Sequence, residues 1–188
     1  MKPLPTKLNL GCGSIKYPDF LNVDIDPAYN PDMLVDLGKV PYPFPDNHFE
    51  YIVAEHVIEH LDDVFAVMQE IYRISKPGAE ILIRVPHFSR GFTCPDHKRG
   101  FGTQFPHYFD PAGPNKVKLE PIRVRLHWIA MPHARKKMMG SAAYYFYRGL
   151  GTVIDFLANL APNLWSRLLC YYVGGFEEIE FRFKVVKG

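Results

Sequence analysis

The stretch Lys7-Leu8-Asn9-Leu10-Gly11-Cys12-Gly13, followed by Asn22-Val23-Asp24-Ile25-Asp26, constrains this chain more than any other. An apolar strand runs into a Gly-x-Gly turn, and a second apolar strand ends on an acid. Glycine lets the backbone approach a ligand and tolerates φ values that a Cβ forbids. A carboxylate after the second strand is placed to accept from ribose hydroxyls. The gap between the two selects the ligand. A dinucleotide site has a third glycine that packs the first helix, and its acid lies about 20 residues on. Here Lys16 stands at the third position and Asp24 lies 13 residues past Gly11. Only residues 11–20, Pro18 among them, separate the strands, whereas a parallel crossover takes about a dozen residues or more. The first helix is therefore a turn or two at most, and no helix N-terminus is clearly set up for a pyrophosphate. The site suits a cofactor with one nucleoside and no phosphates.

The 188 residues suit one large domain, and 47% hydrophobic residues suffice for a substantial core. A net charge of +2 gives no case for nucleic acid, and none is expected as a partner. Cys12, Cys94 and Cys170 are far apart and form no C-x-x-C, which fits a reducing cytoplasm. A first strand starting by about Lys7 leaves no room for a signal peptide, and no apolar run reaches membrane-spanning length.

Residues 7–10, 20–25, 32–36, 49–53 and 80–85 read as strands. Asp62 or Asp63 caps a helix to about Ser75, with Leu61, Val64, Phe65, Met68, Ile71 and Tyr72 at helical spacing. This alternation means a parallel sheet. Residues 87–116 lose periodicity, but their aromatics argue for an ordered, functional loop. Val117–Ile129 reads as a strand. Ser141–Leu160 reads as a helix with a stripe of Ala143, Phe146, Leu150, Ile154, Leu157 and Leu160, and 162–173 as a second short helix. Phe176–Val186 alternates, with Ile179, Phe181, Phe183 and Val185 on one face and Glu178, Glu180, Arg182 and Lys184 on the other, as an antiparallel strand near the sheet edge.

Six motifs in order, over roughly residues 7–88, resemble the class I S-adenosylmethionine-dependent methyltransferases. Leu8-Asn9-Leu10-Gly11-Cys12-Gly13 is similar to the family's first motif, and Val23-Asp24-Ile25 to its ribose-binding acid. Val35-Asp36-Leu37 and Tyr42-Pro43-Phe44-Pro45-Asp46 resemble the adenine-side segment. Phe49–Val53 resembles the fourth strand, Glu55–Leu61 the segment after it, and Ser75–Ala79 the turn before the fifth. The resemblance implies a Rossmann-like α/β fold, with a mainly parallel twisted sheet, an antiparallel seventh strand and a helical insertion. It implies a single domain over 1–188, with a cofactor half at 1–86, an acceptor lid and helical insertion at 87–175, and a last strand at 176–188. It also implies S-adenosylmethionine as cofactor. Leu10, Gly11, Cys12 and Gly13 would line its amino-acid end, Asp24 and Ile25 its ribose, Asp36 and Leu37 its adenine, and Glu55 and His56 its sulfonium. The function expected is methylation of a small molecule or glycan-type acceptor at oxygen or nitrogen.

A weak acceptor needs a base. His87 and His97, the latter oriented by Asp96, are the candidates, because Pro86-His87 follows the fifth strand at the carboxyl edge where α/β sheets bind substrates. The 87–110 loop is the expected cover over the cofactor's methionine end. Two other function classes stand beside this one. One is a non-catalytic S-adenosylmethionine-binding module or partner subunit. The other is a zinc hydrolase, because His56-Val57-Ile58-Glu59-His60 has the H-x-x-E-H spacing of some zinc enzymes. That arrangement needs both histidines on a continuous helix, and no metal is expected. Arg135-Lys136-Lys137 ahead of the 141–160 stripe suits three settings for residues 135–160: core, a homodimer face, or peripheral contact with a membrane surface.

Overall fold

The computed structural model describes residues 3–91, 94–130 and 140–187. Seven strands form one sheet: β1 (Lys7–Leu10), β2 (Leu21–Asp24), β3 (Met33–Leu34), β4 (Phe49–Glu55), β5 (Ser75–Pro86), β6 (Leu119–His127) and β7 (Glu178–Val185). Their order is β3-β2-β1-β4-β5-β7-β6. The first five are parallel, and β7 runs antiparallel to both β5 and β6. Among the described residues three α-helices accompany them: α1 (Val64–Ile74), α2 (Ser141–Leu160) and α3 (Pro162–Arg167). This is the mainly parallel sheet with an antiparallel seventh strand that the sequence indicates. β7 stands next to the edge strand, as expected. It lies between β5 and β6, so Glu178 and Glu180 are buried rather than facing water.

The side-chain period of two divides the sheet into unlike faces. Leu8, Leu10, Ile52, Ile81, Ile83, Ile179, Phe181 and Phe183 share the apolar face and the main core. Asp63 caps α1 by accepting from the Ala66 N–H, and the helix buries Val64, Val67, Met68, Ile71 and Ile74 in that core. The 87–110 segment packs there too. Phe105 lies 5.2 Å from Phe181 and from Phe109, and Phe109 is 6.0 Å from Phe65 of α1. Its aromatics thus fill the place of a helix on the apolar face.

The other face is polar. Arg84 on β5 bonds Glu55 on β4 (2.7 Å) and Glu180 on β7 (2.9 Å), and Arg182 donates to Glu180 at 3.0 Å. No α-helix occurs in 11–20, 25–32 or 35–48, so even the one-turn first helix is absent. A side-chain network takes over its work. Asn22 accepts from the Tyr17 N–H and donates to the Tyr17 and Phe20 carbonyls, and Asn9 donates to the Ile15 carbonyl. Asp32 in turn accepts from the backbone and the amide of Asn22.

α2 packs on β6 with Tyr144, Gly151, Ile154 and Ala158 buried. Of the three settings open to the stripe, core is the one the structure does not form: Phe146, Leu150, Leu157 and Leu160 are exposed, and of that set Ile154 alone is inside. Polar anchors cause the difference. Asp155 accepts from the Trp128 N–H and Asn159 bonds Leu126, so these positions must face the sheet. Arg135, Lys136 and Lys137 lie outside the described residues.

Candidate functional site

The carboxyl edge of β1 and β2 is built around two glycines and one acid. Gly11 has φ +63, and a Cβ there would sit 2.4 Å from Val57 Cγ2. Gly13 has φ +47, and a Cβ there would meet nothing within 4 Å, so its position faces open space. The Gly13 N–H donates to Asp24 Oδ2 (2.8 Å) and the Asp26 N–H to Asp24 Oδ1 (3.0 Å). Each oxygen of Asp24 thus holds one backbone partner and keeps a second lone-pair direction. Ile25 beside it is exposed, while Leu10 and Cys12 are buried. Burial first, and Asp24 second, push the Cys12 thiol up, so it stays protonated. Asp26 accepts from the Ala28 N–H and caps a 3-10 turn, Pro27–Tyr29.

Asp36 lies two residues beyond Leu34, which pairs with Asp24 across β2 and β3. Its carboxylate pairs with Lys39 (3.1 Å) and accepts from the Gly38 N–H, and both lower its pKa, Lys39 foremost. Leu37 is buried and its carbonyl accepts from the Tyr42 hydroxyl.

Glu55 and His56 stand where β4 ends. Glu55 accepts from the Tyr17 hydroxyl at 2.7 Å, and burial together with Glu55 lifts the Tyr17 pKa to about 12. His56 has φ +51 and turns its Nε2 to Glu178 at 2.7 Å and its Nδ1 to Glu59 at 3.4 Å. Burial opposes its charge, but the two carboxylates outweigh burial and raise its pKa to about 9. His56 is therefore an imidazolium at neutral pH.

A groove of about 980 Å³ joins these residues to the insertion. Ser14, Ile15 and Tyr17 line it behind the glycine turn, Glu55, His56 and Arg84 line its floor, and Trp128, Tyr144, Tyr147, Arg148, Thr152 and Asp155 line its far wall. Trp128 and Tyr147 stack at 5.7 Å with planes 7° apart. From the 87–110 segment, Arg90 alone among the described residues lines this groove. The far wall of the groove is thus formed by α2, while Phe101, Phe105 and Phe109 of the aromatic loop pack on the apolar face.

The three residues expected to supply base chemistry sit elsewhere. His87 is fully buried, with Nδ1 bonded to Ser89 Oγ (2.7 Å) and Nε2 to Ser166 Oγ (2.8 Å). Burial lowers its pKa to about 4. His97 and Asp96 do not form a pair with one another. His97 Nδ1 bonds the Gly91 carbonyl at 2.7 Å, whereas Asp96 faces His60 at 3.2 Å. The zinc-enzyme arrangement is also not formed, because Ile58–His60 is a single 3-10 turn. It sends His56 to Glu178 and His60 to Asp96.

His127 lines the groove together with His56, and sequence reasoning missed it. It ends β6, with Nδ1 3.8 Å from Asp155 and Nε2 4.0 Å from Glu178. The available signal was its place at the end of a strand, which is weak without knowledge of the sheet order.

Residues 8–83 match the family model described as a methyltransferase domain. The demethylmenaquinone methyltransferase of Listeria welshimeri is 30% identical over 74 residues, and that of Anoxybacillus flavithermus 35% over 49. These matches cover 39% and 26% of this chain but only 28% and 21% of the relatives' own length. Over 97% of the chain, the fold is similar to the YcgJ protein from Bacillus subtilis (TM-score 0.56, 15% identity, 92% of that chain). It is likewise similar to a putative sarcosine dimethylglycine methyltransferase from Galdieria sulphuraria (TM-score 0.59, 16% identity, 79% of that chain). The match to a methyltransferase domain is thus confined to residues 8–83, and the likeness over the rest of the chain is one of fold.

Proposed function

We propose that this chain methylates a small-molecule or glycan-type acceptor, at oxygen or nitrogen, held between the carboxyl edge of the sheet and α2. The observation that carries this reading is the single groove running from Ser14–Tyr17, behind the glycine turn, to the Trp128–Tyr147 pair. The cofactor site fits its ligand. Gly13 leaves backbone accessible, the Asp24 oxygens can each accept one further hydroxyl, and exposed Ile25 offers an apolar wall. When bound, S-adenosylmethionine supplies a methyl group on a sulfonium, which needs alignment more than activation.

The chain's own residues provide that alignment. Tyr17, Glu55 and Arg84 are fixed to one another by hydrogen bonds, so the groove floor is rigid. The stacked Trp128 and Tyr147 rings suit a planar ring or the apolar face of a sugar. The partial relatives named demethylmenaquinone methyltransferase agree with a ring acceptor. In place of His87 and His97, His127 is the base we assign for an oxygen acceptor. It lines the groove beside Asp155, which can hold the imidazolium it becomes.

The test is release of S-adenosylhomocysteine from S-adenosylmethionine with panels of quinol, phenol, amine and sugar acceptors. Turnover with one class is expected, and His127→Ala should lower kcat for an oxygen acceptor by roughly 10²-fold or more without changing cofactor affinity. Tight cofactor binding with no turnover on any acceptor would instead indicate a binding module.

A further inference from the structure

Helix α2 turns its polar side chains inward beside Tyr144, Gly151, Ile154 and Ala158, and leaves a second apolar side outward. Arg148, Thr152, Asp155 and Asn159 occupy the inner half, against the groove and β6. Phe146, Leu150, Val153, Phe156, Leu157 and Leu160 occupy the outer half, each 42–69% exposed. At 100° per residue these six and Gly149 span one continuous arc, with no charged residue in it. Leu164 and Leu168 carry the exposed apolar surface on along α3 and just past its end. A surface helix normally has the opposite arrangement, so an apolar medium or partner belongs outside this one.

Charge identifies which. Residues 128–175 contain Arg135, Lys136, Lys137, Arg148 and Arg167 but one acid, Asp155, giving +4 while the rest of the chain sums to −2. Asp155 is engaged inward with Trp128, whereas Arg167, at the end of α3 and between Leu164 and Leu168 in sequence, is exposed. Two copies meeting through this face would set Arg167 of each against a surface that, among the described residues of α2 and α3, has no outward acid to answer it. An anionic lipid headgroup layer answers both features, the apolar arc and the basic flank. No helix among the described residues is long and apolar enough to cross a membrane, so the fitting geometry is a helix lying in the interface plane.

We infer that the outer face of α2, continued by α3, docks this protein on a bilayer surface containing anionic lipid. The groove behind α2 then opens at the boundary between lipid and water. That assigns it a lipid-borne acceptor, a step that rests on the proposed function, whereas docking itself does not.

Co-sedimentation of the full chain with phosphatidylcholine vesicles, with and without phosphatidylglycerol, tests the docking without any methyl transfer. The chain should pellet with the mixed vesicles, less with phosphatidylcholine alone, and less in high salt. Val153→Asp with Phe156→Asp places charges at two exposed positions and should weaken vesicle binding roughly a hundredfold with an unchanged melting temperature. Arg167→Glu should cut binding to the mixed vesicles about tenfold and spare phosphatidylcholine, which keeps the test sharp if the double variant misfolds. A chain that stays in the supernatant with both vesicle types overturns the inference, as does full vesicle binding by the folded double variant. A dimer in sedimentation velocity that the double variant breaks, without vesicle binding, would assign the face to a second copy. Vesicle binding with no turnover on lipid-borne acceptors would overturn the acceptor assignment and leave docking in place.

Discussion

Asn159 closes both backbone groups of Leu126. The Leu126 N–H donates to its Oδ1 at 2.9 Å, and its Nδ2 donates to the Leu126 carbonyl at 2.9 Å. Leu126 lies on β6, the outermost strand, so a side-chain amide stands where another strand's peptide would pair. This bond pair, with Asp155 on the Trp128 N–H, fixes which side of α2 faces the groove. Asn159→Leu keeps the volume and removes both partners. It should cost about 2–4 kcal/mol, read as a lower urea midpoint.

The two glycines of the first turn should respond differently to alanine. At Gly11 a Cβ meets Val57 at 2.4 Å and the backbone is left-handed, so overpacking adds to strain. Gly11→Ala should cost about 3 kcal/mol or more. At Gly13 the φ is also positive but the space is open, and Gly13→Ala should cost about 1–2 kcal/mol. Chemical denaturation of both variants without ligand makes the comparison. Equal losses would contradict the contact with Val57.

Asn22 replaces a helix by hydrogen bonds, so Asn22→Ala should do more harm than its size suggests. It leaves the Tyr17 N–H and the Tyr17 and Phe20 carbonyls without this partner. The expected loss is about 2–4 kcal/mol, accompanied by faster amide hydrogen exchange over residues 15–20.

His87 makes stability depend on pH. Its folded pKa is lowered by burial to about 4, while an exposed imidazole titrates near about 6.5. Between these values the unfolded chain binds a proton that the folded chain refuses. Stability is therefore full above about pH 6.5 and falls as pH drops toward 4, by about 3 kcal/mol from this group. His87→Asn should lose that much less between pH 7 and pH 4 when the two proteins are compared by urea unfolding.

Where the argument from sequence rested on local rules, it agrees with the fold. The strand alternation, the Asp63 cap and the Gly-x-Gly turn depend on backbone sterics and neighbouring residues, and the limits of α2 come out at Ser141 and Leu160. Long-range choices were not legible. Periodicity finds a helix without saying what each face meets, so the stripe through Phe146 and Leu157 suits core, a dimer face or a membrane surface alike until Asp155 and Asn159 are seen bonded to β6. The aromatics of 87–110 indicate order but not the side of the sheet they cover. His127 carries only the weak signal of a strand end, and it enters the site because β6 lies where α2 folds back over it.

Titration calorimetry of S-adenosylmethionine into the wild type and Asp24→Ala tests the central claim most directly. The wild type should bind one equivalent saturably. Asp24→Ala should weaken that affinity by roughly tenfold or more, because the acid both accepts from the ligand and holds Gly13. No heat and no saturation with the folded wild type, or equal affinity in the two proteins, would contradict the account.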